Sequence, residues 1–170
     1  MKKTSIRLFT LLLSMIAVIS LAACGGSGSS EPELKTYTTE LGLTAKLPEG
    51  FTVSVDDQTV SILNEKKGAM LYAIRESFDL FASYNVPEMS LDEYAELVQR
   101  ANSSDAFTPD ANGNPHITYE KLVNGKYYYY YSTVRKGSDA YWVISFTCLS
   151  ENKADFADIF VEWADLVTVK

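Results

Sequence analysis

Three consecutive strand-forming runs, Ile117 to Val123, Lys126 to Lys136 and Ala140 to Leu149, constrain the fold of this chain more than any other feature. Asn124-Gly125 joins the first two, and a type I′ turn requires positive φ at both central residues, which Asn and Gly tolerate best. Gly137-Ser138-Asp139 makes the next turn, so the three runs read as an antiparallel meander. The second and third runs are apolar or aromatic at successive positions: Tyr127-Tyr128-Tyr129-Tyr130-Tyr131, then Trp142-Val143-Ile144-Ser145-Phe146. Successive strand residues point to opposite faces. A sheet with one face in water would alternate more cleanly, so this one needs covers on both sides.

Two amphipathic helices are available as covers. Ser90-Leu91-Asp92-Glu93 is a capping box with Met89 and Tyr94 at the staple positions, and Leu91, Tyr94, Ala95, Val98 and Ala101 follow at helical spacing. Asn152 is the expected cap of a closing helix with Phe156, Ile159, Phe160, Trp163 and Val167 as its stripe. Upstream, Leu41 to Leu47 and Phe51 to Val55 read as a hairpin across Pro48-Glu49-Gly50. Thr59 to Leu63 reads as a third strand, and Ala69 to Glu76 as a strand with Met70, Tyr72 and Ile74 on one face. Phe78 to Val86 is a loop or a single helical turn. The expected class is α+β: an antiparallel β-sheet flanked by helices on both faces. The expected core comprises Leu47, Phe51, Tyr72, Ile74, Leu91, Tyr94, Val98, Trp142, Ile144, Phe146, Phe156, Phe160 and Trp163.

The N-terminus carries an address. Lys2, Lys3 and Arg7 precede the uncharged run Leu8 to Ala23, shorter than the ~20 residues a permanent helical span needs. Secretory cleavage after a small-residue site and a retained helix both compete as readings. Cys24 argues against both, because Leu21-Ala22-Ala23-Cys24 resembles the lipobox of bacterial lipoproteins. That resemblance implies a diacylglyceryl thioether on Cys24, cleavage before it and acylation of the new amino terminus. Gly25 stands where an inner-membrane retention signal would place Asp, and the following Gly/Ser style resembles Gram-positive lipoproteins. The expected location is the extracytoplasmic face of the cell membrane. Residues 1–23 are then a signal peptide, 24–35 a lipidated Cys and flexible tether, and 36–170 a single domain. A Gly/Ser coil of this length reaches roughly 20 Å.

Beyond the signal segment the chain keeps 12 basic and 22 acidic residues, a net charge of −10. Such a surface repels nucleic-acid backbones and anionic headgroups, so no nucleic acid is expected as a partner and the tether should hold the domain off the bilayer. With Cys24 lipidated, Cys148 has no partner for a disulfide and reads as a buried structural thiol.

Candidate chemistry is sparse. His116 is the only histidine, and no Gly-x-Ser-x-Gly elbow is present; the flank Asn114-Pro115-His116 looks like a strand entry, and the histidine itself reads as a solvent-exposed loop residue. No ligand spacing supports zinc. Asp110-Ala111-Asn112-Gly113-Asn114 fails the calcium-loop frame, since Pro115 and Lys121 stand where Gly and Glu are required; weak calcium binding by this loop stays open. The acids Asp92, Glu93 and Glu96, and Asp155, Asp158, Glu162 and Asp165, fall on helix surfaces rather than in a glycosidase pair. The aromatic meander offers Tyr127, Tyr129, Tyr131 and Tyr141 as a candidate binding surface, set against their use as core in a doubly covered strand. No metal site and no cofactor is expected.

Leu47-Pro48-Glu49-Gly50-Phe51, the Ser90-Leu91-Asp92-Glu93-Tyr94-Ala95 helix start, the Tyr-rich meander and the closing helix together resemble the PsbP-type α/β/α sandwich family over roughly residues 37 to 169. Its members include a photosystem II extrinsic subunit, a Ran-binding nuclear protein and many small bacterial lipoproteins. The resemblance implies docking on proteins and supplies no catalytic residue. The expected function is a non-catalytic binding or accessory domain at the envelope, held by the Cys24 anchor, with an envelope protein as partner. A cell-wall hydrolase and a small-ligand-binding lipoprotein are the alternatives. Mass spectrometry of the mature amino terminus should find acylated Cys24 as the first residue. An intact Met1, or a Cys24→Ala chain that stays in the membrane, would overturn the anchor.

Overall fold

In a computed structural model of the chain, residues 33–102, 105–110 and 112–170 are described. The expected signal peptide, Cys24 and most of the expected tether lie outside them, as do Ser103, Ser104 and Ala111. The elements are β1 (Leu34–Thr38), β2 (Leu43–Pro48), β3 (Thr52–Asp56), β4 (Thr59–Asn64), β5 (Ala69–Ser77), α1 (Phe78–Ser83), α2 (Leu91–Asn102), β6 (Thr108–Pro109), β7 (Pro115–Val123), β8 (Lys126–Lys136), β9 (Ala140–Leu149), α3 (Lys153–Asp165) and β10 (Val167–Val169). The strands form a seven-stranded sheet, order β3-β4-β5-β9-β8-β7-β6, and a three-stranded sheet, order β1-β2-β10, with every pairing antiparallel.

The meander forms as its turns dictate. Asn124 and Gly125 take φ of 48° and 80°, the positive values a type I′ turn demands. The expected hairpin across Pro48-Glu49-Gly50 does not form. β2 pairs with β1 and β10, β3 pairs with β4, and the turn carries the chain from one sheet to the other. Phe51 is the pivot: its ring meets Trp163 edge-on at 5.6 Å and Tyr37 at 6.1 Å. The Tyr37 hydroxyl donates to Pro48 O at 3.1 Å and accepts from Phe51 N at 3.3 Å. Gly50 makes the corner at φ 95°, where a side chain would be strained. The fold also starts earlier than expected, since Leu34 and Lys35 already belong to β1.

Two apolar clusters lie against the large sheet. One gathers α3 (Phe160, Trp163, Ala164), the small sheet (Leu43, Ala45, Leu47, Val167) and the β8–β9 residues Tyr129, Tyr131, Trp142, Ile144 and Phe146. The other gathers Phe81 of α1, Tyr94 and Ala95 of α2, and Val134 and Tyr141. Tyr141 and Trp142, adjacent in sequence, are both fully buried in different clusters. On β5 the more deeply buried positions are Ala69, Leu71 and Ala73, while Met70 and Tyr72 are half-buried; the larger cluster takes the face opposite to the expected one. Leu91, Val98 and Phe156 pack at the margins, half-buried.

The capping box is realised. Ser90 N donates to Glu93 Oε2 at 2.7 Å and Glu93 N to Ser90 Oγ at 3.2 Å. Phe78–Ser83 is helical because Ser77 Oγ caps it, accepting from Leu80 N. Asn152 makes no side-chain cap; a 3₁₀ turn, Ser150–Asn152, leads into α3 instead. No described helix is long and apolar enough to cross a membrane.

Phe146 is fully buried and touches Phe160 at 5.6 Å and Trp163 at 6.2 Å. Phe146→Ala should therefore cost about 3–5 kcal/mol in urea unfolding. Tyr127→Ala, at a 60% exposed position, should stay within about 0.5 kcal/mol. Equal midpoints for the two variants would contradict this packing.

Candidate functional site

On the face of the large sheet that carries α2 lies a groove of ≈ 350 Å³. α2 contributes Val98 and Asn102, and the segment after it Asp105 and Phe107. The sheet contributes Ile117, Tyr119 and Lys121 from β7, Ser132 from β8, and Val143 and Ser145 from β9. Register builds the floor: Ile117 lies opposite Ser132, and Ser132 opposite Ser145. The two serine hydroxyls hydrogen-bond at 2.8 Å under an apolar wall of Val98, Phe107, Ile117 and Val143. Apolar walls with few polar groups, at the lower end of the usual size for ligand sites, suit one or two side chains or a small molecule. At the rim, Tyr119 stacks on Tyr130 with ring centroids 4.8 Å apart. Burial raises the Tyr119 phenol and pushes Tyr130 up to about 12, so both remain neutral hydroxyls.

The α2 wall is held by polar contacts at its start. Tyr141 OH donates to Met89 O and accepts from Met89 N, both at 2.6 Å. Lys136 Nζ reaches Met89 O at 2.9 Å and Glu88 at 2.7 Å. Tyr94 stacks on Tyr141 at 4.4 Å and donates to the carboxylate of Glu76 at 2.5 Å. Glu76 is buried, and desolvation raises its carboxyl above the ordinary range, offset in part by the Tyr94 hydroxyl.

The opposite face carries a polar cluster near the C-terminal end of α3. Asp110 Oδ1 accepts from Asn112 N and Asn114 N at 2.9 and 2.8 Å, and Oδ2 accepts from Tyr131 OH at 3.3 Å. These hydrogen bonds hold the Asp110 carboxyl below its usual value against some desolvation. Asp165 accepts from the Asn112 and Asn114 side chains. Arg135 donates to Thr133 Oγ1 at 2.5 Å and to Ala164 O at 3.4 Å. The loop considered for calcium thus spends its Asp110 oxygens on its own amides and on Tyr131, and no cluster of three or more metal-binding side chains occurs among the described residues.

Several sequence expectations change here. His116 is half-buried in β7 rather than in an exposed loop; it stacks on Tyr131 at 5.3 Å, with Nδ1 2.8 Å from Thr108 O. That places it across the sheet from Ser132. Tyr127, Tyr129, Tyr131 and Tyr141 do not form one surface. Tyr129, Tyr131 and Tyr141 are core residues at 4%, 1% and 0% exposure, and Tyr141 belongs to the other cluster; Tyr127 alone is exposed. Cys148 is buried and free, its thiol pushed up to about 12 by desolvation and by Asp155 and Glu120. Glu96 pairs with Arg100, and Glu93 caps α2. Cys24 lies outside the described residues. The groove residues were missed; their faint signal is Ser132 and Ser145, polar positions inside two otherwise apolar runs.

A protein of Bacteroides thetaiotaomicron aligns over 81% of this chain with a TM-score of 0.56 at 12% identity, and this chain spans about half (49%) of that protein. A point mutant of Mog1 aligns over 80% of this chain and 95% of its own length, with a TM-score of 0.51 at 12% identity. The likeness is one of fold. Cyanobacterial PsbP from Synechocystis aligns over 88% of this chain and 99% of its own, at 14% identity and a TM-score of 0.46. No protein-family profile and no curated protein matches the sequence. The architecture of this chain is mixed α+β with antiparallel sheets, strands outweighing helices among the described residues.

Glu76 gives this site a pH signature. With its folded pKa raised above the unfolded value of about 4.3, the folded state holds its proton longer. The stability this adds is full below the unfolded pKa and is lost as pH rises through the folded one. Glu76→Gln should therefore gain in urea midpoint over the native chain as pH rises from about 4 to about 7. A constant difference across that range would refute the assignment.

Proposed function

We propose that this chain is a membrane-anchored extracytoplasmic lipoprotein whose folded part is a non-catalytic binding or accessory domain at the cell envelope, built as a PsbP-like α/β/α sandwich. The single observation that carries the binding role is the groove between α2 and β7–β9. Its floor hydroxyls pair with each other, and the lone histidine sits on the other side of the sheet. That arrangement favours holding an apolar group over activating a nucleophile. Leu21-Ala22-Ala23-Cys24 supports the anchor and the location. The two apolar clusters, one with α3 and one with α1 and α2, support helices on both faces of the sheet. The proposed occupant is an apolar side chain of an envelope protein.

Affinity capture of the lipidated chain from membranes tests this, with Val98→Lys as the groove variant. One envelope protein should co-purify with the native chain and be lost from Val98→Lys at unchanged circular dichroism. Release of fragments from purified peptidoglycan, abolished by one carboxylate-to-amide change, would replace the reading with the hydrolase.

A further inference from the structure

Following register from strand to strand puts the start of the fold and most of its exposed apolar side chains at one end of the molecule. Leu34, the first residue of β1, pairs with Pro48. The neighbouring Glu49 O accepts from Asn64 Nδ2 at 3.4 Å, where β4 ends. From Asn64 the row runs through Ala69, Cys148 and Tyr129 to Glu120. Leu122 and Tyr127 are cross-strand partners two residues beyond this row, at the tip of the β7–β8 hairpin. They are 55% and 60% exposed, and Leu34 is 45% exposed. Among the other described residues, the large exposed apolar side chains are Val53, on edge strand β3, and Tyr84, between α1 and α2.

Charge follows the same axis. The turns at this end hold Lys66 and Lys67, and Lys121 and Lys126 flank the hairpin tip; the turns at the other end hold Asp56, Asp57 and Asp139, with Arg75 paired to Asp139 at 2.7 Å and Lys136 beside the same turn. Acids are also present at the basic end, as Glu49, Glu65, Glu120 and Glu151, and Lys153 pairs with Glu120 at 3.0 Å. The net charge of −10 carries the expectation that the domain stands off the bilayer, and the lysines at the hairpin tip are a local exception to it. The ten residue steps from Cys24 to Leu34 span at most about 35 Å when extended and roughly 15–20 Å as a Gly/Ser coil. The hairpin projects about 7–10 Å past the row where the tether joins, so it points toward whatever holds the tether.

We infer that the β7–β8 hairpin tip, with Leu122, Tyr127, Lys121 and Lys126, contacts the anionic phospholipid headgroups of the bilayer that holds Cys24. This rests on the lipid-anchor reading. Tyrosine and leucine suit the headgroup boundary, and each lysine near an anionic surface favours contact by about fivefold. The strands then stand on the membrane, and the groove on the sheet face opens sideways toward neighbouring membrane proteins.

The test uses the mature full chain purified with its anchor, floated with vesicles of phosphatidylcholine or of phosphatidylcholine with phosphatidylglycerol, each with and without brominated acyl chains. Tyr127→Trp is read against the native chain, whose Trp142 and Trp163 are buried, and against Tyr84→Trp. Tyr127→Trp should shift to the blue and be quenched by brominated lipid on the anionic vesicles, with Tyr84→Trp unaffected. Salt and Lys121→Gln should weaken the effect, the variant by about fivefold. A chain that floats with both vesicles while Tyr127→Trp stays unquenched overturns this inference and leaves the anchor standing. A chain that floats with neither overturns the anchor reading and the inference with it. Shielding of Tyr127→Trp only on native membranes, lost after protease treatment, would assign the tip to a protein and overturn the inference.

Discussion

Tyr141 and Trp142 are neighbours in the chain, both fully buried, and they face opposite ways across β9. A strand buried on both sides cannot be satisfied by one layer. Trp142, Ile144 and Phe146 pack in one cluster with α3 and the small sheet. Tyr141 and Val134 pack in the other with α1 and α2. Tyrosine suits this position because its ring packs while its hydroxyl reaches a polar partner: Tyr141 finds the Met89 backbone, Tyr94 finds Glu76, and Tyr131 finds Asp110. The aromatic meander is thus an internal scaffold whose hydroxyls fasten the outer segments to the sheet.

The groove is a by-product of unequal cover. Beyond the Tyr94–Tyr141 stack, α2 leaves the sheet face open where Ser132 and Ser145 sit, and these are the positions where apolar side chains give way to small polar ones. Only one hydroxyl of such a pair donates to the other, so the second keeps its own O–H for another acceptor. On the opposite face Arg135, Asp110 and Asp165 spend their hydrogen bonds on Thr133, Ala164 and the Asn112–Asn114 turn.

Much of this was legible in the sequence where signals are local. The Ser90–Glu93 box specifies the start of α2 through contacts three residues apart, and Asn124-Gly125 specifies its turn by dihedral preference alone. What was not legible is partnership. Pro48-Glu49-Gly50 has the composition of a hairpin turn, but whether the flanking strands pair with each other is decided by Tyr37 and Trp163, residues far off in the chain that seat Phe51 at a corner. β1 and β10 are short or largely exposed, so they carry little apolar pattern to read. The groove has no motif because its floor exists only through register, and the burial of three of the four candidate tyrosines follows from cover that no local spacing encodes.

The three-stranded sheet has a consequence for the order of assembly. β2 takes one partner, β1, from residues just before it, and the other, β10, from the last residues of the chain, with Val167 opposite Ala45. Contacts between such distant segments form late, because closing the intervening loop must precede any gain from pairing. A chain delivered amino terminus first therefore carries β2 with one backbone edge open, an invitation to wrong pairings. The cluster that buries Leu43, Ala45 and Leu47 is complete only with Phe160, Trp163 and Val167 in place.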